Sequence, residues 1–190
     1  MTGLRILGPA LAAAGLLAAC MLSDAAATGF SIDIPTIKPN STLSDAQVYN
    51  GFGCNGKNVS PALKWSGAPS GTKSFAVTVY DPDAPTGSGW WHWVVYNIPA
   101  TVSSLPEHAG DADGKQLPGG AVQGRTDFGT SGFGGACPPA GDKPHRYIFT
   151  VYALKTEKID VPAGSTAAMV GYMLNANQLA KSSLTARYGH

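Results

Sequence analysis

Residues 74–98 read SFAVTVYDPDAPTGSGWWHWVVYNI, and the punctuation of this stretch decides the fold. Phe75, Val77 and Val79 alternate with their neighbours at the period of a strand that presents one face to a core. Asp81 to Gly89 then places Pro82, Pro85, Gly87 and Gly89 within a few residues, which is turn chemistry. Trp90 to Ile98 follows as an unbroken run of aromatic and β-branched residues, the pattern of a central strand.

The same punctuation extends outward. Phe30, Ile32 and Ile34 are spaced by two, and Leu63 to Trp65 reads as a further strand. Short strands are predicted near Gly120 to Gln123, within a Gly- and Pro-rich loop region that runs from Pro99 to Ala140. In Tyr147 to Leu154, Tyr147, Phe149 and Val151 alternate against Ile148, Thr150 and Tyr152. One helix is predicted after Pro162, with Ser165 as its N-cap. Met169, Val170, Met173, Asn177 and Leu179/Ala180 fall near helical spacing through about Lys181, a stripe read as core packing. The expectation is a mainly all-β chain, a β-sandwich with a helix laid on it.

Residues 1–27 read as a targeting segment and residues 28–190 as a single domain. Arg5 supplies the positive end and Ile6 to Ala19 the apolar stretch. Leu17-Ala18-Ala19-Cys20 resembles a bacterial lipobox, with cleavage before Cys20 and acylation of that residue. Ala25-Ala26-Ala27 fits ordinary cleavage after Ala27, and an uncleaved membrane anchor is the third reading. An exported location follows: bacterial periplasm, membrane-anchored lipoprotein, or secreted. With Cys20 consumed or removed, Cys54 and Cys137 remain, and both sit in Gly-rich loops rather than apolar runs. They are read as one disulfide in an oxidising compartment, the alternative being two buried free thiols.

Only 13% of the residues are charged and the formal net charge is +1, which offers no basic field for nucleic acid. Gly51, Gly53 and Gly56 match G-x-G-x-x-G, but Pro61 and the lack of a following helical pattern remove the helix N-terminus that a dinucleotide phosphate needs. Against this low charge, the ionisable residues at strand ends stand out. Asp81 closes one strand, His92 lies at the start of the next, and His145 precedes the Tyr147 strand. Imidazoles beside a carboxylate can hold an oxyanion, the carboxylate fixing a histidine's tautomer and raising its pKa. Gly134 and Gly135 would let backbone approach a ligand closely.

Asp81-Pro-Asp-Ala-Pro85, Trp90-Trp-His92-Trp, and Cys137-Pro-Pro139 followed by His145-Arg-Tyr147 resemble the signature blocks of the phosphatidylethanolamine-binding protein family, also called Raf kinase inhibitor proteins. Asn58-Val-Ser-Pro-Ala-Leu-Lys-Trp65 and Arg125-Thr-Asp-Phe-Gly129 look like blocks of its bacterial branch, so the resemblance spans nearly all of Phe30 to Tyr188. It implies a Greek-key β-sandwich with a C-terminal helix near the mouth of an anion pocket. The family's pocket residues map onto Asp81, Pro85, Trp90, His92, Pro138, Pro139, His145 and Tyr147. Two departures from the eukaryotic pattern, the short Thr86–Gly89 loop and Cys137 in place of a glycine, weigh against kinase inhibition.

The resulting expectation is non-catalytic binding of a small anionic ligand, phosphate-like or a phospholipid head group, between His92 and His145. Trp90 and Tyr147 would form its aromatic wall. The alternative is an inhibitor or regulator of a protein partner such as a hydrolase or kinase. An enzyme, with His92 as general base or a 2-His-1-carboxylate metal site, is the least favoured reading. The sequence holds no G-x-S-x-G elbow and no H-E-x-x-H pair, so no catalytic residue, metal or cofactor is assigned. Contact with a membrane is expected only through the lipid anchor at Cys20.

Overall fold

The hairpin read from residues 74–98 lies at the centre of the larger of two packed sheets. The structure, a computed structural model, describes Met1 and residues 29–190. The targeting segment, Cys20 and the Ala25–Ala27 site lie outside the described residues. Among the described residues no helix is long and apolar enough to cross a membrane.

The strands in chain order are β1 (Ser31–Asp33), β2 (Asn50–Gly51), β3 (Cys54–Asn55), β4 (Leu63–Ser66), β5 (Ser74–Asp81), β6 (Trp90–Pro99), β7 (Ser104–Leu105), β8 (Val122–Gln123), β9 (His145–Leu154) and β10 (Gln178–Tyr188). Among the described residues the one α-helix, α1 (Ala167–Asn177), stands between β9 and β10. The large sheet has the order β10-β9-β5-β6-β8, antiparallel throughout. Its β9-β5-β6-β8 portion returns the fourth strand beside the first, which is the Greek-key order. The small sheet is β1-β4-β7, and β2 and β3 make a separate hairpin.

Alternation in β5 and β9 separates two cores. Phe75, Val77, Val79, Phe149 and Val151 point inward against Leu63, Trp65 and Leu105 of the small sheet. Ala76, Val94, Tyr152 and Leu154 point outward and are covered by Val170 and Leu174 of α1. The large sheet is therefore buried on both faces, which explains why β5 is buried almost throughout.

The helix differs from the sequence expectation in three ways. It is capped by Thr166, whose hydroxyl accepts from the Met169 amide at 3.2 Å, while the Ser165 hydroxyl donates to the Pro162 carbonyl. Its buried stripe is Ala167, Val170, Gly171 and Leu174, spaced i, i+3, i+4, i+7, and Met169 is 50% exposed. It ends at Asn177, not Lys181, because Gln178–Tyr188 pairs along the whole length of β9. The helix is thus not the last element. It lies on the outer face of the sheet, where Gly171 packs against Trp91 and the N-cap Thr166 bridges to Arg125 at the start of the segment that carries Phe128.

Candidate functional site

The first site residues are placed by a defect in the β5–β6 ladder. The register changes from Val79↔Trp93 to Tyr80↔Trp91, so His92 is an extra residue on β6. Such a bulge re-aims side chains. Here His92 and Trp93 both face inward, Trp93 into the core and His92 into a cavity at the end of the sandwich. Opposite, β5 ends on Asp81, paired with Trp90. Strand β9 begins with His145 and brings Tyr147 to the same side.

The cavity encloses about 170 Å³, and all eight residues read from the sequence, Asp81, Pro85, Trp90, His92, Pro138, Pro139, His145 and Tyr147, line it. Asp81, His92, His145 and Tyr147 are buried, as is Pro138, whereas Pro85 and Pro139 form exposed rim. The structure adds Phe52, at the tip of the β2–β3 hairpin and 73% exposed, and Phe128. Both carried a signal in the sequence, since Phe52 sits in a Gly-Phe-Gly turn and Phe128 in the Arg125–Gly129 block. Phe128 packs edge-on to Trp90 and His92 and lies 4.6 Å from Tyr49 between ring centroids.

Gly134 and Gly135 serve a different purpose from the one the sequence suggested. A Cβ on Gly134 would collide with the Phe128 ring, and one on Gly135 would meet main-chain atoms of residues 47–49. They make room for the wall of the pocket itself. The Gly134 amide also donates to the His92 carbonyl at 2.8 Å, tying this segment to the bulge.

The polar groups form a defined network. His145 Nδ1 donates to Asp81 Oδ2 at 2.8 Å, and the Asp83 amide donates to Asp81 Oδ1 at 2.8 Å. Asp142 Oδ2 stands 3.5 Å from His145 Nε2, so both nitrogens of that ring face carboxylates. His92 Nδ1 donates to the Gly134 carbonyl at 2.8 Å, which leaves Nε2 as the ring's unengaged nitrogen. Burial pushes His92 below the ordinary imidazole value, and the opposing pull of the Gly134 carbonyl and the Asp81 charge does not overcome it.

Tyr147 is 1% exposed, and its hydroxyl has no hydrogen-bond partner among the described residues. The Cys137 main chain beside it falls short of a normal hydrogen bond. Burial first, and the Asp81 charge second, hold this phenol well above its ordinary value, so it remains an O–H donor. A buried hydroxyl without a partner costs about 1–3 kcal/mol.

The rim is held by Asp83 and Arg146. Arg146 Nη2 reaches Asp83 Oδ1 at 2.7 Å, Nε reaches Oδ2 at 2.9 Å, and the Arg146 amide also donates to Oδ2. Those bonds hold the Asp83 carboxyl down at about 2, against an ordinary 3.8. Because the folded-state value is depressed, the contribution is present above about pH 4 and is lost as pH falls through about 2. Discounted for solvent exposure, it amounts to about 1 kcal/mol. Urea unfolding of Asp83→Asn against the parent is expected to give that gap at pH 6 and a much smaller one at pH 2; an equal gap at both would show that the carboxylate's charge is not responsible.

Cys54 and Cys137 are bonded, with Cα atoms 5.9 Å apart. The bond joins the Phe52 hairpin to the Pro138-Pro139 wall, and it fits an oxidising compartment.

With this geometry in place, comparison with known proteins gives a direct answer. The phosphatidylethanolamine-binding protein family model matches residues 33–189. The chain belongs to that family. Escherichia coli YbcL is 63% identical over 165 residues, covering 87% of this chain and 90% of YbcL. The YbcL crystal structure, described as a new member of the mammalian PEBP family, superposes with a TM-score of 0.83 over 85% of this chain and 98% of that one. Escherichia coli YbhB is 51% identical over 152 residues, or 80% of this chain and 95% of YbhB. A Chlamydia trachomatis PEBP homologue, CT736, has a TM-score of 0.70 at 29% identity, covering 85% and 98% of the two chains. The names of these PEBP relatives specify no enzymatic reaction.

Proposed function

We propose that this PEBP-family chain binds a small oxyanion, phosphate or a phosphorylated head group, without catalysis, in the cavity of Asp81, His92, His145 and Tyr147. The observation that carries this reading is the Tyr147 hydroxyl, a buried, neutral donor without a partner among the described residues, beside the nitrogen of His92 that makes no hydrogen bond among them. An oxyanion accepts from Tyr147 and places an oxygen at His92 Nε2. A singly protonated phosphate can donate to the neutral imidazole, and a fully ionised one requires the imidazole to take up a proton. Trp90 and Phe128 would flank any apolar remainder of the ligand. Asp81 orients the His145 ring, and Asp142 is the carboxylate that an anion approaching His145 would have to displace. The targeting segment and the disulfide support a role in the cell envelope.

The pH dependence has a definite sign. His92 is depressed in the free protein, and a bound anion favours its protonated form. Affinity is therefore highest at low pH and falls as pH rises through the value His92 takes in the complex. Titration calorimetry with orthophosphate and with phosphoethanolamine, from pH 5 to pH 8, tests this. Expected are saturable binding of at least one ligand, weakening with pH, and a loss of roughly tenfold or more in His145→Ala. Absence of binding for both ligands, or an unaltered isotherm in His145→Ala, contradicts the proposal. Tighter binding of phosphoethanolamine than of orthophosphate would assign the head group as the source of the anion.

A further inference from the structure

His190 lies outside the cavity just described, yet it is held in place. Strand β10 ends with Tyr188 paired to His145, and the Gly141 amide donates to the His190 carbonyl at 3.0 Å. Gly189 is fitted against Pro144, where a Cβ would come within 3.1 Å of the proline. The consequence is that His190 Nδ1 stands 3.6 Å from Cys54 Sγ. Together with Cys137 Sγ, the three atoms lie within 4.8 Å of one another, delivered by three separate segments.

One edge of that set has the dimension of an edge of a tetrahedral metal site. With metal–sulfur bonds of about 2.3 Å and metal–nitrogen bonds of about 2.05 Å, the nitrogen–sulfur edge of a tetrahedron is about 3.6 Å and the sulfur–sulfur edge about 3.8 Å. The nitrogen–sulfur edge is already present at 3.6 Å. The sulfur–sulfur edge is not, because the two atoms are bonded. Cα atoms 5.9 Å apart allow side-chain rotation alone to part them.

The geometry points to a second site, present only in the reduced protein, in which the thiolates of Cys54 and Cys137 and the imidazole of His190 hold a borderline-soft divalent cation such as Zn²⁺. Opening the bond takes two electrons and two protons from a dithiol reductant, which leaves as its own disulfide. The two thiol protons are then released to solvent as the metal–sulfur bonds form. Ligand type favours zinc over calcium or magnesium, since the set offers two sulfurs, one nitrogen and no oxygen. The disulfide and the metal are mutually exclusive, since both need the sulfurs of Cys54 and Cys137.

Cobalt(II) is the probe, because thiolate coordination gives it an intense charge-transfer band. The full chain is used with Cys20→Ser, so that only these two thiols exist, and is reduced with a phosphine. Expected are one cobalt bound per reduced chain with the thiolate band, none in the oxidised chain, and displacement by Zn²⁺. His190→Ala should weaken the affinity roughly tenfold or more. Far-UV and near-UV circular dichroism of the reduced chain accompany the titration. A folded reduced chain without the band, a reduced chain that unfolds, or a His190→Ala variant with unchanged affinity would each overturn the inference.

Discussion

Replacing Cys54 and Cys137 together by alanine is expected to lower the unfolding free energy by about 4 kcal/mol, because the bond closes a long loop and restricts the unfolded chain. The two residues are 83 apart in sequence, and the segment between them carries β4 to β8, including the hairpin that holds Asp81 and His92. For a chain of this size that loss corresponds to a midpoint roughly 8–16 °C lower. Differential scanning calorimetry on the parent and the double variant measures it directly. A drop under a few degrees would mean that the β2–β3 hairpin and the proline wall are held as firmly by packing as by the bond. Phe52 gives a second readout: once the hairpin is freed, the pocket mouth should loosen and anion affinity should fall although no polar pocket group has been removed.

The second large effect is expected at Asp81. Its carboxylate is buried, accepts the His145 ring proton and caps the turn through the Asp83 amide. Asp81→Ala removes both acceptors and leaves two donors in a space where water replaces them poorly. Each charge-assisted bond contributes about 1.5–3 kcal/mol, so a total loss of about 3–6 kcal/mol is expected, measured by urea unfolding at pH 7. Asp81→Asn keeps the volume and part of the hydrogen bonding and should lose less. If alanine and asparagine cost the same, the carboxylate contributes little beyond its shape. Anion binding should suffer most in Asp81→Ala, where the His145 ring loses the acceptor that fixes its tautomer.

How much of this was legible in the sequence depends on the range of the forces concerned. The β5 and β6 strands were readable because alternation and breaker residues are local, and the eight pocket residues because their blocks hold fixed spacings. The bulge at His92 was not readable: whether an extra residue is absorbed on β6 depends on pairing with β5, which is a property of two strands. Strand β10 was hidden for a related reason. Residues 178–181 continue a helical spacing, and only the long ladder with β9, over which Lys181 reaches the Tyr152 ring, draws them into the sheet. Asp81, His92 and His145 were visible as scarce ionisable groups at strand ends. The balance of forces at each was not, because desolvation of His92 follows from packing by Phe128 and Tyr147. Phe128 and Phe52 stood inside readable motifs, yet nothing local to either motif directs them toward the cavity.

Tyr147 offers the most direct test of the claim that the cavity exists to hold an anion. Tyr147→Phe removes one buried oxygen and nothing else, so stability and binding should move in opposite directions. Without ligand, the unfolding free energy should stay level or rise by up to about 1 kcal/mol, since a polar group with no protein partner is gone. Affinity for whichever of orthophosphate or phosphoethanolamine the parent binds should fall roughly tenfold, the loss of one hydrogen bond to a charged acceptor. Calorimetric titration of the parent and Tyr147→Phe at pH 6, beside their thermal melts, reads both quantities. Weaker binding in a variant at least as stable as the parent is the predicted result; unchanged binding, with stability reduced, would contradict the account.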